Sequence, residues 1–358
     1  MPTFSACIYA RKGGLPLKET LQSIARHVQE IIVAVPENNP SAIETAQTFS
    51  AQIVPYTLGK SRCATLQNTF SCAGSDFLLW LDEGDFFTPA DLSKLRTLRQ
   101  ALHPDVDAAR VKCAFTADSP DTVEHYRYET RLLARQASYA MVDDANPTLL
   151  INGNVVTYEL TITHRQEKPE NHAHVLSYYR ARLEQNGTLT PRERLYYARA
   201  LRDTGSTQTI GQYETLIQQD APNQLRIAAC LELAVCQTDA EKRLDILLHS
   251  FRFGPPQADI CCLIGTYLWE NHAFYGAIFW YELALSQKLP VTRRTIYSDY
   301  WGYIPALELC RCYYALGDTA KASACNHIAG EYKPGDAAVR YNEDFFTGLQ
   351  RGAQKHRI

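Results

Sequence analysis

The chain has 358 residues, 46% hydrophobic and 21% charged, a globular composition that buries a sizeable core and excludes a disordered chain. Its formal net charge of −3 provides no overall positive field, so neither nucleic acid nor an anionic membrane surface is an expected partner. The 11 cysteines form an odd set without regular spacing, and Cys7, Cys72, Cys230, Cys261 and Cys262 sit inside apolar segments, so they read as reduced core thiols. The opening residues lack a basic start and a long apolar core. No later stretch approaches the roughly 18 uninterrupted apolar residues of a spanning helix, and the expected location is cytoplasmic.

In chain order, residues 4–10 read as a first strand, broken by Arg11-Lys12-Gly13-Gly14. Residues 15–28 carry Leu17, Leu21, Ile24 and Val28 at the spacing of an amphipathic helix. A second strand over 30–35 ends at Pro36, Ser41 can cap a helix running to 49, and 52–56 make a short third strand. Gly59-Lys60-Ser61-Arg62 then lead into a helix reaching about Cys72, and residues 77–81 form a fourth strand, apolar throughout. Strands alternating with helices predict a parallel, Rossmann-like sheet with helices on its faces. No G-x-G-x-x-G follows the first strand and no G-x-x-x-x-G-K-[ST] occurs, which removes the main support for dinucleotide and P-loop readings.

The fourth strand ends abruptly in Asp82-Glu83-Gly84-Asp85. Ligands of open α/β sheets bind outside the carboxyl ends of the strands, and acids there can hold a divalent cation against a diphosphate. The order of pieces resembles a glycosyltransferase family 2 catalytic domain of the GT-A type. The resemblance is carried by Ser5-Ala6-Cys7-Ile8-Tyr9-Ala10, Glu30-Ile31-Ile32-Val33, Asn68 where the family has an Arg-Asn pair, and Trp80-Leu81-Asp82 where it has Trp-Leu-Asp-x-Asp. It implies Mn²⁺ or Mg²⁺ bridging the phosphates of a sugar nucleotide and acting as a Lewis acid on the leaving diphosphate. Asp82 takes the first acid position; the second falls on Gly84, so Glu83 or Asp85 would have to replace it. Glu37 stands in place of the acid loop that holds the nucleoside, and Lys60, Arg62 and Asn68 join Asp82 as candidate nucleotide contacts. Arg131-Leu132-Leu133 resembles the family's Arg-Leu-Phe, but the His-Glu expected downstream falls near Asn146-Pro147. Asp143 and Asp144 are left by position as candidate bases for the acceptor's proton. Trp80 reads as core, and His125 as a surface residue.

After about residue 163 the texture becomes helical and rich in Leu, Ala and Tyr. Ile210, Leu244, Ala277 and Ala322 occupy matching places at intervals of 34, 33 and 45 residues, the tetratricopeptide period with an 11-residue insertion over 292–302 before the last unit. Gly265 and Ala277 would let paired helices approach, with Tyr281 and Ala284 filling the seam. The aromatic run 297–303, with Asp299, can stack on a sugar or clamp a peptide, but reads first as rings packed on neighbouring helices. Pro191-Arg192 with Leu195-Tyr196-Tyr197-Ala198-Arg199-Ala200-Leu201 resembles the junction of bacterial family 2 glycosyltransferases that carry C-terminal tetratricopeptide repeats.

The expected architecture is therefore α/β plus all-α: a GT-A-like domain over 1–163, a helical linker over 164–189 and a tetratricopeptide-like solenoid over 190–358. The resemblance implies transfer of sugar from a nucleoside diphosphate sugar to a protein, peptide or glycan acceptor, with a further protein partner on the repeats. The alternative is a catalytically degenerate relative retained as a protein-binding module.

Overall fold

The structure, a computed structural model, describes residues 1–116, 123–165 and 172–355. The chain divides into two compact units, Met1–Thr188 with Val291–Ile296, and Leu189–Pro290 with Tyr297–Ile358. In the first, β1 (Phe4–Tyr9), β2 (Glu30–Pro36), β3 (Gln52–Tyr56) and β4 (Phe77–Asp82) alternate with α1 (Gly14–Ile24), α2 (Pro40–Thr48) and α3 (Arg62–Ser71). These four strands pair in parallel. β1 is buried along its whole length and β4 up to its last residue, which is why both are apolar almost without interruption. Side chains satisfy the helix starts: Asn39 caps α2 in place of the expected Ser41, and Ser61 caps α3.

Beyond β4 the sheet turns mixed. β5 (Asp85–Phe86), α4 (Pro89–Ala101), β6 (Ala108–Thr116), β7 (Val123–Ala134) and β10 (Val155–Arg165) follow, with β8 (Ser138–Val142) and β9 (Thr148–Asn152) forming a separate pair. The order across the main sheet is β3-β2-β1-β4-β7-β6-β10-β5, with β7 antiparallel to both neighbours. α5 (His172–Asn186) completes this unit, so the segment expected as a linker holds the end of β10 and a helix; its residues 166–171 lie outside the described residues. His125, expected at the surface, is half-buried and stacks on Phe115 at 4.7 Å.

The second unit is a succession of helix pairs: α6 (Pro191–Asp203) with α7 (Thr209–Gln218), α8 (Asn223–Cys236) with α9 (Ala240–His249), α10 (Ala258–Glu270) with α11 (Phe274–Leu285), and α12 (Tyr303–Ala315) with α13 (Thr319–Tyr332), closed by α14 (Ala337–Lys355). A capping box opens it: the Thr190 hydroxyl accepts from the Glu193 N–H, and the Glu193 carboxylate accepts from the Thr190 N–H. Tyr213, Leu247, Tyr281 and Asn326 occupy matching, fully buried places on the second helices, at intervals of 34, 34 and 45 residues. This moves the expected register by one place in the first two repeats, to Thr209 and Arg243 in line with Ala277 and Ala322; Ile210 is 37% exposed while Thr209 is buried. Gly265 lies against Tyr281, where a Cβ would come within 2.7 Å of the ring, so only glycine permits this helix approach.

The expected insertion divides in two. Residues 291–296 belong to the first unit, where Ile296 and Tyr126 exchange backbone hydrogen bonds. Within the second unit, Trp301 is buried at the end of a short 3-10 turn, Ser298–Trp301, and the Lys333 ammonium lies 4.3 Å from the Tyr303 ring centre. All 11 cysteines are free thiols. No helix among the described residues is long and apolar enough to cross a membrane.

Candidate functional site

The carboxyl ends of β1 to β4 share one edge of the sheet, and β1 aligns Tyr9 with Asp82 of β4. What happens after Asp82 decides the chemistry of that edge. Gly84 takes φ +94°, a left-handed backbone that suits glycine, and its N–H is accepted by the Thr20 hydroxyl at 3.0 Å. The chain thereby turns back into β5, which pairs antiparallel with β10 and sets Asp85 opposite His164. Asp85, expected as a metal ligand, is only 2% exposed. Its Oδ2 accepts from the Asp82 N–H at 2.7 Å and from Arg131 Nη1 at 3.5 Å, and its Oδ1 lies 2.9 Å from His164 Nδ1.

The other two acids are engaged elsewhere. One oxygen of Glu83 accepts from the backbone N–H groups of Arg11 and Lys12, holding the loop between β1 and α1; its Oε1 is buried without a partner among the described residues, a single orphan oxygen rather than a set of ligands. Asp82 is clamped between two guanidiniums, Oδ1 to Arg62 Nη2 at 2.7 Å and Oδ2 to Arg131 Nη1 at 3.1 Å. Asp82 and Asp85 thus share Arg131, while Glu83 serves the backbone of the β1–α1 loop. Among the described residues no group of three His, Cys, Asp or Glu side chains is placed to hold a metal ion. The residues do not fit Mn²⁺ or Mg²⁺: a cation here would have to displace two arginines from Asp82 and draw a buried, fully paired Asp85 out of the sheet.

Arg131 is the centre of this network. Besides Asp82 and Asp85 it pairs with Glu129, Nε to Oε2 at 2.9 Å and Nη2 to Oε2 at 2.8 Å, and its guanidinium lies 4.7 Å from the Trp80 ring centre. Arg127 pairs with the other Glu129 oxygen. Burial alone would raise the Glu129 carboxyl, but Arg127 and Arg131 outweigh it and hold it ionised below the usual range. Burial opposes protonation of His164, but its hydrogen bond to Asp85 and the charges of Asp85 and Asp82 prevail, so its pKa is raised. A raised histidine pKa contributes stability that is fully present below the unfolded value of about 6.5 and is lost as pH rises through the folded value. The stability difference between wild type and His164→Phe, followed by urea denaturation, should therefore shrink as pH is taken from 5.5 to 8.5.

Asp143 and Asp144 are also committed to local structure. Asp144 Oδ1 accepts from the Ser61 hydroxyl and the Cys63 N–H, both at 2.7 Å, at the first turn of α3. Burial would raise its pKa, but these donors lower it, which suits an ionised cap rather than a base awaiting a proton. Asp143 accepts from the Tyr179 hydroxyl at 3.0 Å and the Asn146 N–H at 3.1 Å.

Of the remaining candidates, Arg62 is the one the structure places squarely at the strand edge. Its guanidinium sits 4.8 Å from the Tyr9 ring centre, and Tyr9 stacks on Tyr56 with centroids 5.1 Å apart. Tyr56 is anchored in turn by its hydroxyl to the Ala10 carbonyl at 2.8 Å. Arg62 Nε is buried without a hydrogen-bond partner. Glu37 and Lys60 are exposed in the loops after β2 and β3, Glu37 accepting from the Thr57 hydroxyl at 3.3 Å. Asn68 is exposed six residues further along α3, about 9 Å of helix from Arg62. Sequence reasoning passed over Tyr9, Tyr56, Glu129 and His164. The signal for the tyrosines was there, since each ends a strand of the parallel set. The other two lie on β7 and β10, outside that set.

No family model matches the chain, and no curated protein matches it. Among solved structures it is similar to TTC0263, a thermophilic TPR protein of Thermus thermophilus, at 18% identity over 49% of this chain and 90% of that one, with a TM-score of 0.33. It is similar to YrrB, a TPR protein with an unusual peptide-binding site, at 15% identity over 49% and 85% of the two chains, with a TM-score of 0.38. It is also similar to glucosyl-3-phosphoglycerate synthase from Mycobacterium tuberculosis, solved with Mn²⁺, uridine diphosphate and phosphoglyceric acid, at 12% identity over 57% and 79%, with a TM-score of 0.35.

Proposed function

We propose that the first unit binds a nucleoside diphosphate sugar at the carboxyl edge of β1 to β4, with Arg62 in place of a divalent cation. In this reading the protein is a glycosyltransferase-like binding protein whose helical repeats engage a polypeptide. The observation that carries it is the partly exposed Arg62 guanidinium over the Tyr9 ring, itself stacked on Tyr56, with Asp82 on one side. A planar cation beside aromatic faces suits a ligand that combines phosphates with a base. The commitment of Asp82, Asp85, Asp143 and Asp144 to internal donors favours binding over turnover, because it leaves neither a metal clamp nor a poised base among the residues that the resemblance to family 2 assigns to those tasks.

A second reading keeps the transfer reaction, to a protein, peptide or glycan acceptor, and Arg62 favours it. A guanidinium on a leaving diphosphate stabilises the charge that develops as the glycosidic bond breaks. Calorimetric titration with a panel of nucleoside diphosphate sugars tests the shared claim. One donor is expected to bind, and Arg62→Gln should weaken it by about 10- to 100-fold, the effect of losing a charge-assisted contact worth about 1.5–3 kcal/mol. Asp82 keeps Arg131 in that variant, so the fold should survive. Release of nucleoside diphosphate from the bound donor selects the second reading, and stable binding without release selects the first. Equal affinity in wild type and Arg62→Gln would overturn both.

A further inference from the structure

The opposite end of the parallel strands carries a second basic site. The residues after α1 lie at the amino edge of the strands, where the Gln29 N–H donates to the Phe4 carbonyl at the start of β1 and Arg99 of α4 reaches the Pro2 and His27 carbonyls. A pocket of about 270 Å³ there is lined by Arg26, His27, Leu95, Arg96 and Arg99. No acid lines it. Arg26 and Arg96 are exposed and make no hydrogen bond or ion pair among the described residues, whereas most arginines of the acid network described above are paired. Arg99 forms a fixed wall: its Nε donates to the Pro2 carbonyl at 2.8 Å, Nη1 to the His27 carbonyl at 3.5 Å and Nη2 to the Gln29 side chain, while its plane lies 5.0 Å from the Phe4 ring centre. Basic residues near a helix C-terminus are favoured by the helix dipole, worth about 0.3–1 kcal/mol each. That accounts for a single residue at each helix end, but not for three arginines lining one pocket in a chain of net charge −3.

We propose that this pocket binds a small phosphorylated anion, the phosphate held between Arg26 and Arg96 with Arg99 behind it and the attached group resting on Leu95. The cavity far exceeds the roughly 30 Å³ that one water occupies in the liquid, so it has room for more than a single phosphate. Guanidiniums are the side chains best matched to phosphate oxygens. His27 registers the same unbalanced field: burial first, then Arg96, Arg26 and Arg99, lower its pKa, as expected where cations crowd without a counter-charge. The inference stands apart from the nucleotide reading of the other edge.

The test is calorimetric titration of the full chain with inorganic phosphate and with pyrophosphate, in wild type, in Arg26→Gln/Arg96→Gln and in Arg62→Gln. Pyrophosphate is expected to bind more tightly than phosphate, to weaken at least tenfold in the double variant and to keep its affinity for this site in Arg62→Gln, where the opposite edge is altered. Both substituted side chains are exposed and unpaired, so the melting temperature of the double variant should match wild type, which separates lost binding from lost folding. Affinity unchanged in the double variant, loss confined to Arg62→Gln, or no binding by the wild type at millimolar pyrophosphate would each overturn the proposal.

Discussion

Replacing Arg131 by methionine is expected to destabilise the protein by about 3–5 kcal/mol, seen as a large fall in the urea midpoint at unchanged slope. The size follows from what the substitution leaves behind. Arg131 is 5% exposed and touches three carboxylates, those of Asp82, Asp85 and Glu129. Methionine fills much of the volume against Trp80, so the loss is electrostatic rather than a cavity. Asp82 retains Arg62 and Glu129 retains Arg127, but Asp85 is left with His164 and one backbone N–H. A buried carboxylate losing a cationic partner costs far more than the pair contributed when complete, because its desolvation is no longer offset. A loss below about 1 kcal/mol would mean that the network is solvated and that the acids are free for other work.

The second large effect belongs to the repeats. Glu232 on α8 accepts from Arg199 through Nε at 2.9 Å and through Nη2, from Arg202 Nη1 at 3.3 Å, and from the Tyr213 hydroxyl at 2.8 Å. It therefore ties α6, α7 and α8 together through one carboxylate. Glu232→Ala leaves two arginines facing each other and the hydroxyl of a fully buried tyrosine unpaired. The expected cost is about 3 kcal/mol, the low end for a broken buried pair, because both arginines keep some access to water. Repeat arrays are stabilised through nearest-neighbour interfaces, so the loss should fall on the first repeats, with amide exchange in α6 to α8 accelerated more than in α12 and α13. Uniform acceleration across all the helices would show that the array unfolds as one cooperative unit instead.

Parts of this structure were readable in the residues and parts were not, for definite reasons. The strands β1, β2 and β4 announced themselves because burial on both faces makes them apolar almost without interruption, while the short, half-exposed β3 was found from its place in the alternation. The repeats were visible through their period, although Ile210 misled by one place because an apolar residue at a helix surface is indistinguishable in sequence from one at the seam. The mixed half of the sheet was not legible. β7 carries Arg127, Glu129 and Arg131 at a spacing of two, the pattern of a solvated face, yet Arg131 is buried, the other two are only partly exposed, and the charges neutralise one another. The acid motif misled for a related reason. Sequence shows that Asp85 follows a strand; it does not show that Gly84 turns the chain into β5, so that the acid joins the sheet beside a histidine 79 residues away. Long-range pairing, invisible to local pattern, decided the character of the site.

That the carboxyl edge works through arginine and not through a metal ion is tested most directly by titrating the donor that binds best under two conditions, with Mn²⁺ and with chelator. An affinity that agrees within about twofold in both, and that falls in Arg62→Gln, is the predicted result, because both Asp82 oxygens are already taken by guanidiniums. Binding that requires Mn²⁺ and disappears in Asp82→Asn would contradict it, since the acids would then have to leave Arg62, Arg131 and His164 to gather around a cation.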